Sequence, residues 1–327
     1  MALSRAQVLA VIGATLALPL SAFAQSAPPP FTISASPQYP APYGSVNIVP
    51  SSNSLDLSSG TFVVSVNGAE IYRGNAQPVA VTLGAGGSMT NVTGTLITGS
   101  TNYSQQLTIS PQDVALVVEP IASAPPLYLG KPLEPLEGSS RIVAVANMRT
   151  RGGTALDPNT LSYAWTIDGT AITSSSGIGK NSIIAASPLQ YRASTVSVVV
   201  TSPDGTLVGG DSVALNPHEA SVRLYANDPL MGIRFDRALA GAIALTGTEE
   251  SLYAGTYSLP TSSGNPLLQW FLNGTSAQSG ALITLRPTGQ GAGTANVSLT
   301  ATAGTGTASA NLSLSFGSNS GTNLFGL

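Results

Sequence analysis

A chain of 327 residues with only 8% charged side chains and a formal net charge of −3 has no basic face for phosphates, which excludes nucleic-acid binding. One histidine and no cysteine remove disulfides, zinc sites built from several N or S ligands, and most nucleophile–base arrangements. Hydrophobic residues reach 43%, enough for real cores, and the length suits two or three domains.

Arg5 precedes an apolar run from Val8 to Leu20. Ser21-Ala22-Phe23-Ala24 follows, with small residues where a signal peptidase needs them, before Gln25. Residues 1–24 therefore read as a secretory signal peptide and 25–30 as a proline-rich linker. No second long apolar run follows, so no membrane span is expected after cleavage.

The first module is expected at 31–110. Ser45–Val49, Val79–Leu83, Thr93–Ile97 and Gln106–Ile109 alternate as strands. Pro37 to Pro42 reads as an edge or a turn, because proline cannot donate to a ladder. Gly84-Ala85-Gly86-Gly87 is a turn and not a phosphate cradle, since no strand–helix pair flanks it.

The second module is expected at 111–217, with strands at Val114–Pro120, Arg141–Met148, Thr195–Thr201 and Asp211–Leu215. Ala124 to Leu136 is rich in proline, which bars a helix. It reads as an edge segment or an exposed contact loop. The third module, at 218–316, has strands at Ser221–Tyr225, Ala242–Thr246, Glu250–Tyr257, Thr294–Ala301 and Ala308–Phe316. Asn227 to Gly232 parallels the Glu119-Pro120 region of the second module. Residues 317–327 form a flexible Gly/Ser/Asn tail carrying Phe325.

One stretch recurs through this order. Tyr163-Ala164-Trp165-Thr166-Ile167 runs into Asp168-Gly169, Leu268-Gln269-Trp270-Phe271-Leu272 into Asn273-Gly274, and Phe62-Val63-Val64-Ser65-Val66 into Asn67-Gly68. The copies are spaced by about 100 residues, the size of one β-sandwich. Alternation followed by Asx-Gly is the strongest short hairpin signal, since both residues accept the left-handed backbone of a tight turn. Val64, Trp165 and Trp270 then sit at one depth, as fillers between two sheets. The fold class is all-β: tandem immunoglobulin-like or PKD-like sandwiches behind a signal peptide.

Trp-x-(Ile/Leu)-(Asp/Asn)-Gly-Thr, at Trp165 to Thr170 and Trp270 to Thr275, resembles the C-strand signature of bacterial immunoglobulin-like and PKD-type modules of exported surface proteins. The first copy departs from it with Val64 in the tryptophan position, and the Phe-Gly-Asp-Gly form of PKD modules is absent. The resemblance implies the sandwich fold and an exported, surface context.

The search for chemistry returns little. His218 lies beside Pro217 at a module junction, where no sheet holds a base in place. Glu249 and Glu250 are adjacent in a strand and face opposite sides. Glu119, Glu219 and Asp228 lie near junctions, but no run carries the alternating ligands of a calcium loop. No cofactor or metal is implied. Tyr39, Tyr43, Tyr128 and Tyr191 lie in loops or beside prolines and are candidates for exposed contact, Tyr128 foremost with Phe325.

The expected function is a non-catalytic exported envelope protein, acting as a surface spacer, an adhesin or a component of a pilus or S-layer assembly. The alternative is a carbohydrate-binding accessory protein of the envelope. Expected partners are surface proteins or a surface polysaccharide. Short junctions at Ser110-Pro111 and Pro217-His218 predict a semi-rigid array.

Overall fold

The computed structural model describes residues 29–245, 247–288 and 292–317. The signal peptide and Phe325 lie outside the described residues. Among the described residues all regular structure is β apart from three single-turn 3-10 segments, and three hydrophobic cores follow one another along the chain.

The first core is enclosed by β1 (Thr32–Ser36), β2 (Ser45–Ser51), β3 (Thr61–Val66), β4 (Ala69–Gly74), β5 (Val79–Thr82), β6 (Thr90–Thr98) and β7 (Thr101–Ile109). One sheet has the order β1-β2-β5 and the other β4-β3-β6-β7. The second core lies within β8 (Asp113–Pro120), β9 (Ser139–Asn147), β10 (Ser162–Ile167), β11 (Thr170–Ala171), β12 (Gly177–Ile178), β13 (Ser182–Ala186), β14 (Ser194–Thr201) and β15 (Val208–Leu215). Its sheets run β8-β9-β13 and β11-β10-β14-β15, the same order as in the first. In each sandwich the third strand crosses to the opposite sheet, which is the Greek-key order of immunoglobulin-like folds.

The third core lies within β16 (Ser221–Asp228), β17 (Gly232–Ile233), β18 (Gly241–Leu245), β19 (Glu250–Tyr257), β20 (Leu267–Leu272), β21 (Thr275–Ser279), β22 (Leu282–Leu285), β23 (Gly293–Ala303) and β24 (Gly306–Phe316). It keeps the pattern, as β16-β19-β22 against β21-β20-β23-β24, with two additions: the short β17 pairs with β16, and β18 joins the other sheet. β18 crosses over and pairs in parallel with the last strand. Asn227 to Gly232 does not parallel Glu119-Pro120. Asp228 accepts from the N–H groups of Leu230 and Met231 and folds the chain straight back into β17, whereas Pro120 leads outward into a long loop.

Alternation along the C strands drives these cores. Tyr163 and Trp165 are buried while Ala164 is exposed, and Trp270 is buried in the matching place. Each indole N–H donates to a carbonyl of the segment that returns from the hairpin: Trp165 to Lys180 at 2.9 Å and Trp270 to Gly280 at 2.8 Å. Val64 is buried too but has no such bond to offer. The aromatic bulk of the first core comes instead from Phe31 and Phe62, packed edge to face with centroids 6.0 Å apart.

The three Asx-Gly turns share one clasp. Asn67, Asp168 and Asn273 have φ near 50° and each precedes a positive-φ glycine, Gly68, Gly169 or Gly274. Their side-chain oxygens accept the N–H of Asn91, Thr195 and Asn296 at 3.0, 2.7 and 2.8 Å. Their own N–H groups donate back to the carbonyls of the same three residues. A short polar side chain is what satisfies both the left-handed backbone and this exchange.

Some local expectations are corrected. The return strand after Gly169 ends at Ala171, because a 3-10 turn at Thr173–Ser175 bends it away. Glu249 lies before its strand, not in it, and pairs with Arg286 at 2.6 Å. Tyr39 is half-buried and not an open contact residue: its ring lies where a Cβ on Gly210 would stand, so it packs against the last strand of the second sandwich.

Candidate functional site

The site is built where the second and third sandwiches meet. The loop between β8 and β9 is too long for a hairpin turn, and its prolines keep it extended. It reaches onto the next sandwich as a strap with two limbs. In the first limb, Ile121 accepts from Thr261, and Ser123 exchanges backbone bonds with Ser258 and Leu259, at 2.7 to 3.0 Å. Ser123 is buried, and its hydroxyl also accepts the Leu259 N–H at 3.2 Å. In the second limb, Leu136 and Glu134 bracket His218 in a short parallel bridge. His218, read from sequence as a loose linker residue, is therefore tied on both sides of its backbone.

The strap covers part of an unusual sheet face. Val222 and Leu224 of β16, with Leu252 and Ala254 of β19, point into the third core. The alternate residues, Arg223 and Tyr225 with Tyr253 and Tyr257, therefore face outward. Gly255 lies between them opposite Arg223. Its missing side chain lets Tyr225 and Tyr257 lean together until their hydroxyls are 2.7 Å apart, and lets Pro125 of the strap sit 3.1 Å from where a Cβ would be. Phe235 closes edge to face on Tyr225 and Tyr253, with centroids 5.1 and 5.8 Å away. Tyr128, at the strap tip and about half exposed, meets Tyr257 edge to face at 5.6 Å.

Between strap and sheet remains an open cleft of about 560 Å³, within the range of about 300–1,000 Å³ usual for small-ligand sites. Its floor is aromatic, and His218, Glu219 and Arg223 stand at its rim. Arg223 lies over the Tyr257 ring, 5.9 Å from its centroid. Among the described residues it has no carboxylate within ion-pair distance and no side-chain hydrogen bond. Glu219 accepts from Gln190 at 2.6 Å. Burial pushes the Tyr257 phenol well above the usual tyrosine range, helped by the bond to Tyr225, and burial raises Tyr253 as well. These hydroxyls stay protonated near neutrality, so they offer hydrogen bonds and not a base. The arrangement can stack and hydrogen-bond a ligand.

Of the residues singled out from sequence, Tyr128, His218 and Glu219 belong to this cleft. Val64, Trp165 and Trp270 are in the three cores, and the Asx-Gly turns lie at hairpin tips. The sequence reading missed Tyr225, Phe235, Tyr257, Gly255 and Arg223. A signal for them exists: Val222 to Tyr225 and Leu252 to Tyr257 carry bulky apolar or aromatic residues in both phases, the mark of a strand covered on both faces.

The junction between the first two sandwiches is also closed. Gly87, at φ +80°, donates to the Pro111 carbonyl at 2.9 Å, and a Cβ there would overlap the carbonyl oxygens of Arg149 and Thr150. Buried Gln112 fastens Arg149 from behind, accepting its N–H at 2.8 Å and donating to its carbonyl at 3.2 Å.

Among the described residues no three His, Cys, Asp or Glu side chains form a group that could hold a metal, and no helix is long and apolar enough to cross a membrane. No protein-family model matches the chain, and no curated protein does. Solved structures similar to it are tandem β-sandwich arrays. The three N-terminal domains of the bacteriophage RB49 Highly Immunogenic Outer Capsid protein are 13% identical over 88% of this chain and 98% of theirs, with a TM-score of 0.24. Immunoglobulin domains 1–5 of Sidekick-1 are 11% identical over 85% of this chain and 56% of theirs, at 0.27. The central fibronectin-III array of RIM-binding protein is 9% identical over 85% of this chain and 92% of its own, also at 0.27. The sandwich assignment rests on this chain's own strand order.

Proposed function

We propose that this protein is an exported, non-catalytic array of immunoglobulin-like modules that acts as a semi-rigid spacer at the cell envelope, as an adhesin or as part of a surface assembly. The observation that carries the reading is the closure of both junctions by backbone hydrogen bonds, Gly87 to Pro111 in one and Ser123 with Leu259 in the other. A chain whose modules only needed tethering would have no use for buried inter-module contacts, since interfaces within a chain otherwise permit relative motion. The signal-like residues 1–24 support export. One histidine and no cysteine in the whole chain support the non-catalytic reading.

Expression in a bacterium with the N-terminus intact tests the location. The expected result is a chain beginning at Gln25, recovered outside the cytoplasm and cleaved by protease added to whole cells or spheroplasts. An uncleaved chain confined to the cytoplasm contradicts the proposal.

A further inference from the structure

We infer that the cleft between the strap and the third sandwich is a binding site for a neutral oligosaccharide. This goes beyond the spacer reading and does not depend on it, because a module array can be stiff without binding a sugar.

The inference starts from an arrangement that packing alone does not require. The outward face of β16 and β19 carries Tyr225, Tyr253 and Tyr257 with Phe235 against them; Tyr225 and Tyr253 are buried there, while Phe235, Tyr257 and the half-exposed Tyr128 border the opening with their rings partly open. The strap covers this face only in part, with Pro125 seated on Gly255, and leaves about 560 Å³ open beside it.

The polar groups around the opening are not used up. The Arg223 guanidinium is held over Tyr257, yet among the described residues it has no acceptor for its five N–H groups. Tyr225 and Tyr257 bond only to each other, which occupies one of their two protons and leaves one O–H without a protein acceptor among the described residues.

Ligand chemistry follows from this set by elimination. An apolar ligand would leave the Arg223 and tyrosine donors dehydrated and unpaired, at a cost for each. A nucleotide would stack but needs its phosphates neutralised, and among the described residues lining the cleft Arg223 is the one lysine or arginine, with the Glu219 carboxylate also at the rim. A pyranose chain meets every condition: its C–H faces lie on aromatic rings, and its hydroxyls both accept from Arg223 and the tyrosine and donate to Glu219. The balance of one cation and one anion at the rim matches an uncharged sugar.

The test is calorimetric titration of the mature chain, at physiological salt, with maltohexaose, cellohexaose, mannohexaose and xylohexaose. At least one is expected to bind with a stoichiometry of one. Tyr128→Ala and Arg223→Ala should each lower that affinity by about tenfold or more, equivalent to about 1.4 kcal/mol. Both side chains are exposed, so the variants should fold, as circular dichroism checks. Tyr43→Ala, which removes an exposed tyrosine of the first sandwich, should bind like the unaltered chain. The inference is overturned if none of the four sugars binds, or if Tyr128→Ala and Arg223→Ala bind as tightly as the unaltered chain.

Discussion

Ser123 and Leu259 bond each other twice across a module boundary: the Ser123 N–H donates to the Leu259 carbonyl at 2.7 Å, and the Leu259 N–H donates to the Ser123 hydroxyl at 3.2 Å. Such a pairing fixes both position and direction, because two separate donors must be met at once. It ties a loop of the second sandwich to the segment that leaves β19 in the third. Ser123→Pro removes the first bond outright. The expected outcome is loss of protection of the Leu259 and Thr261 amides in hydrogen exchange, with the core amides of both sandwiches unaffected.

The other junction turns on Gly87. Any side chain there is strained by its φ of +80° and collides with the backbone of Arg149 and Thr150. Gly87→Val should destabilise the chain by at least about 1 kcal/mol and separate the first sandwich from the second. Limited proteolysis checks it: cleavage near Ser110–Gln112 should become fast in the variant while each released fragment stays folded.

The two tryptophans report on separate modules. Each is fully buried with a bonded indole N–H, so emission should be blue-shifted in the native chain. Trp165→Ala or Trp270→Ala should cost about 3–5 kcal/mol in its own sandwich, the usual price of such a truncation. In Trp165→Phe the remaining fluorescence follows the third sandwich alone, and denaturant melts monitored this way should differ from those of Trp270→Phe.

Asp168 sets an acid limit. The bonds from the Thr195 N–H and the Ser194 hydroxyl hold its carboxyl below the usual carboxylate range. A lowered folded pKa contributes stability above the unfolded value of 3.8, and that contribution is lost as pH falls through the folded value. Asn67 and Asn273 make the same clasp without ionising. Asp168→Asn should therefore fold normally near neutrality and lose the part of the acid sensitivity that belongs to the second sandwich, as melting temperature against pH would record.

Glu134 has the opposite sign. Desolvation raises its pKa, against lowering by the Asn216 N–H and by His218, and one carboxylate oxygen is buried with no hydrogen bond. The folded chain therefore keeps this proton longer than the unfolded chain does. Stability from the protonated form is complete below the unfolded value of 4.5 and is lost as pH rises through the folded value. Glu134→Gln should raise the melting temperature at neutral pH and leave it unchanged in acid below that window.

The cores and turns of this chain were legible because they rest on local signals. Trp165 followed by Asp168-Gly169 announces a strand and a hairpin in a few residues, and the repeat of that signal at Trp270 and Asn273 announces a second copy. The cleft was not legible, because it depends on a long-range event. Nothing local to Ala124–Leu136 tells which sheet the strap will reach, so the partners of Tyr128 could not be named. Tyr225 and Tyr257 lie in strands whose sequence signals cover on both faces, but what covers them is visible only in the structure, where the strap lands on Gly255 between them.

The claim on which the rest depends is that the three sandwiches are held as one body by the two closed junctions. Small-angle X-ray scattering of the mature chain in solution measures this directly. A single fixed arrangement of the modules should reproduce the curve, and Ser123→Pro and Gly87→Val should each broaden the distance distribution. A curve that only an ensemble of freely reorienting modules can fit, unchanged by either substitution, would contradict it.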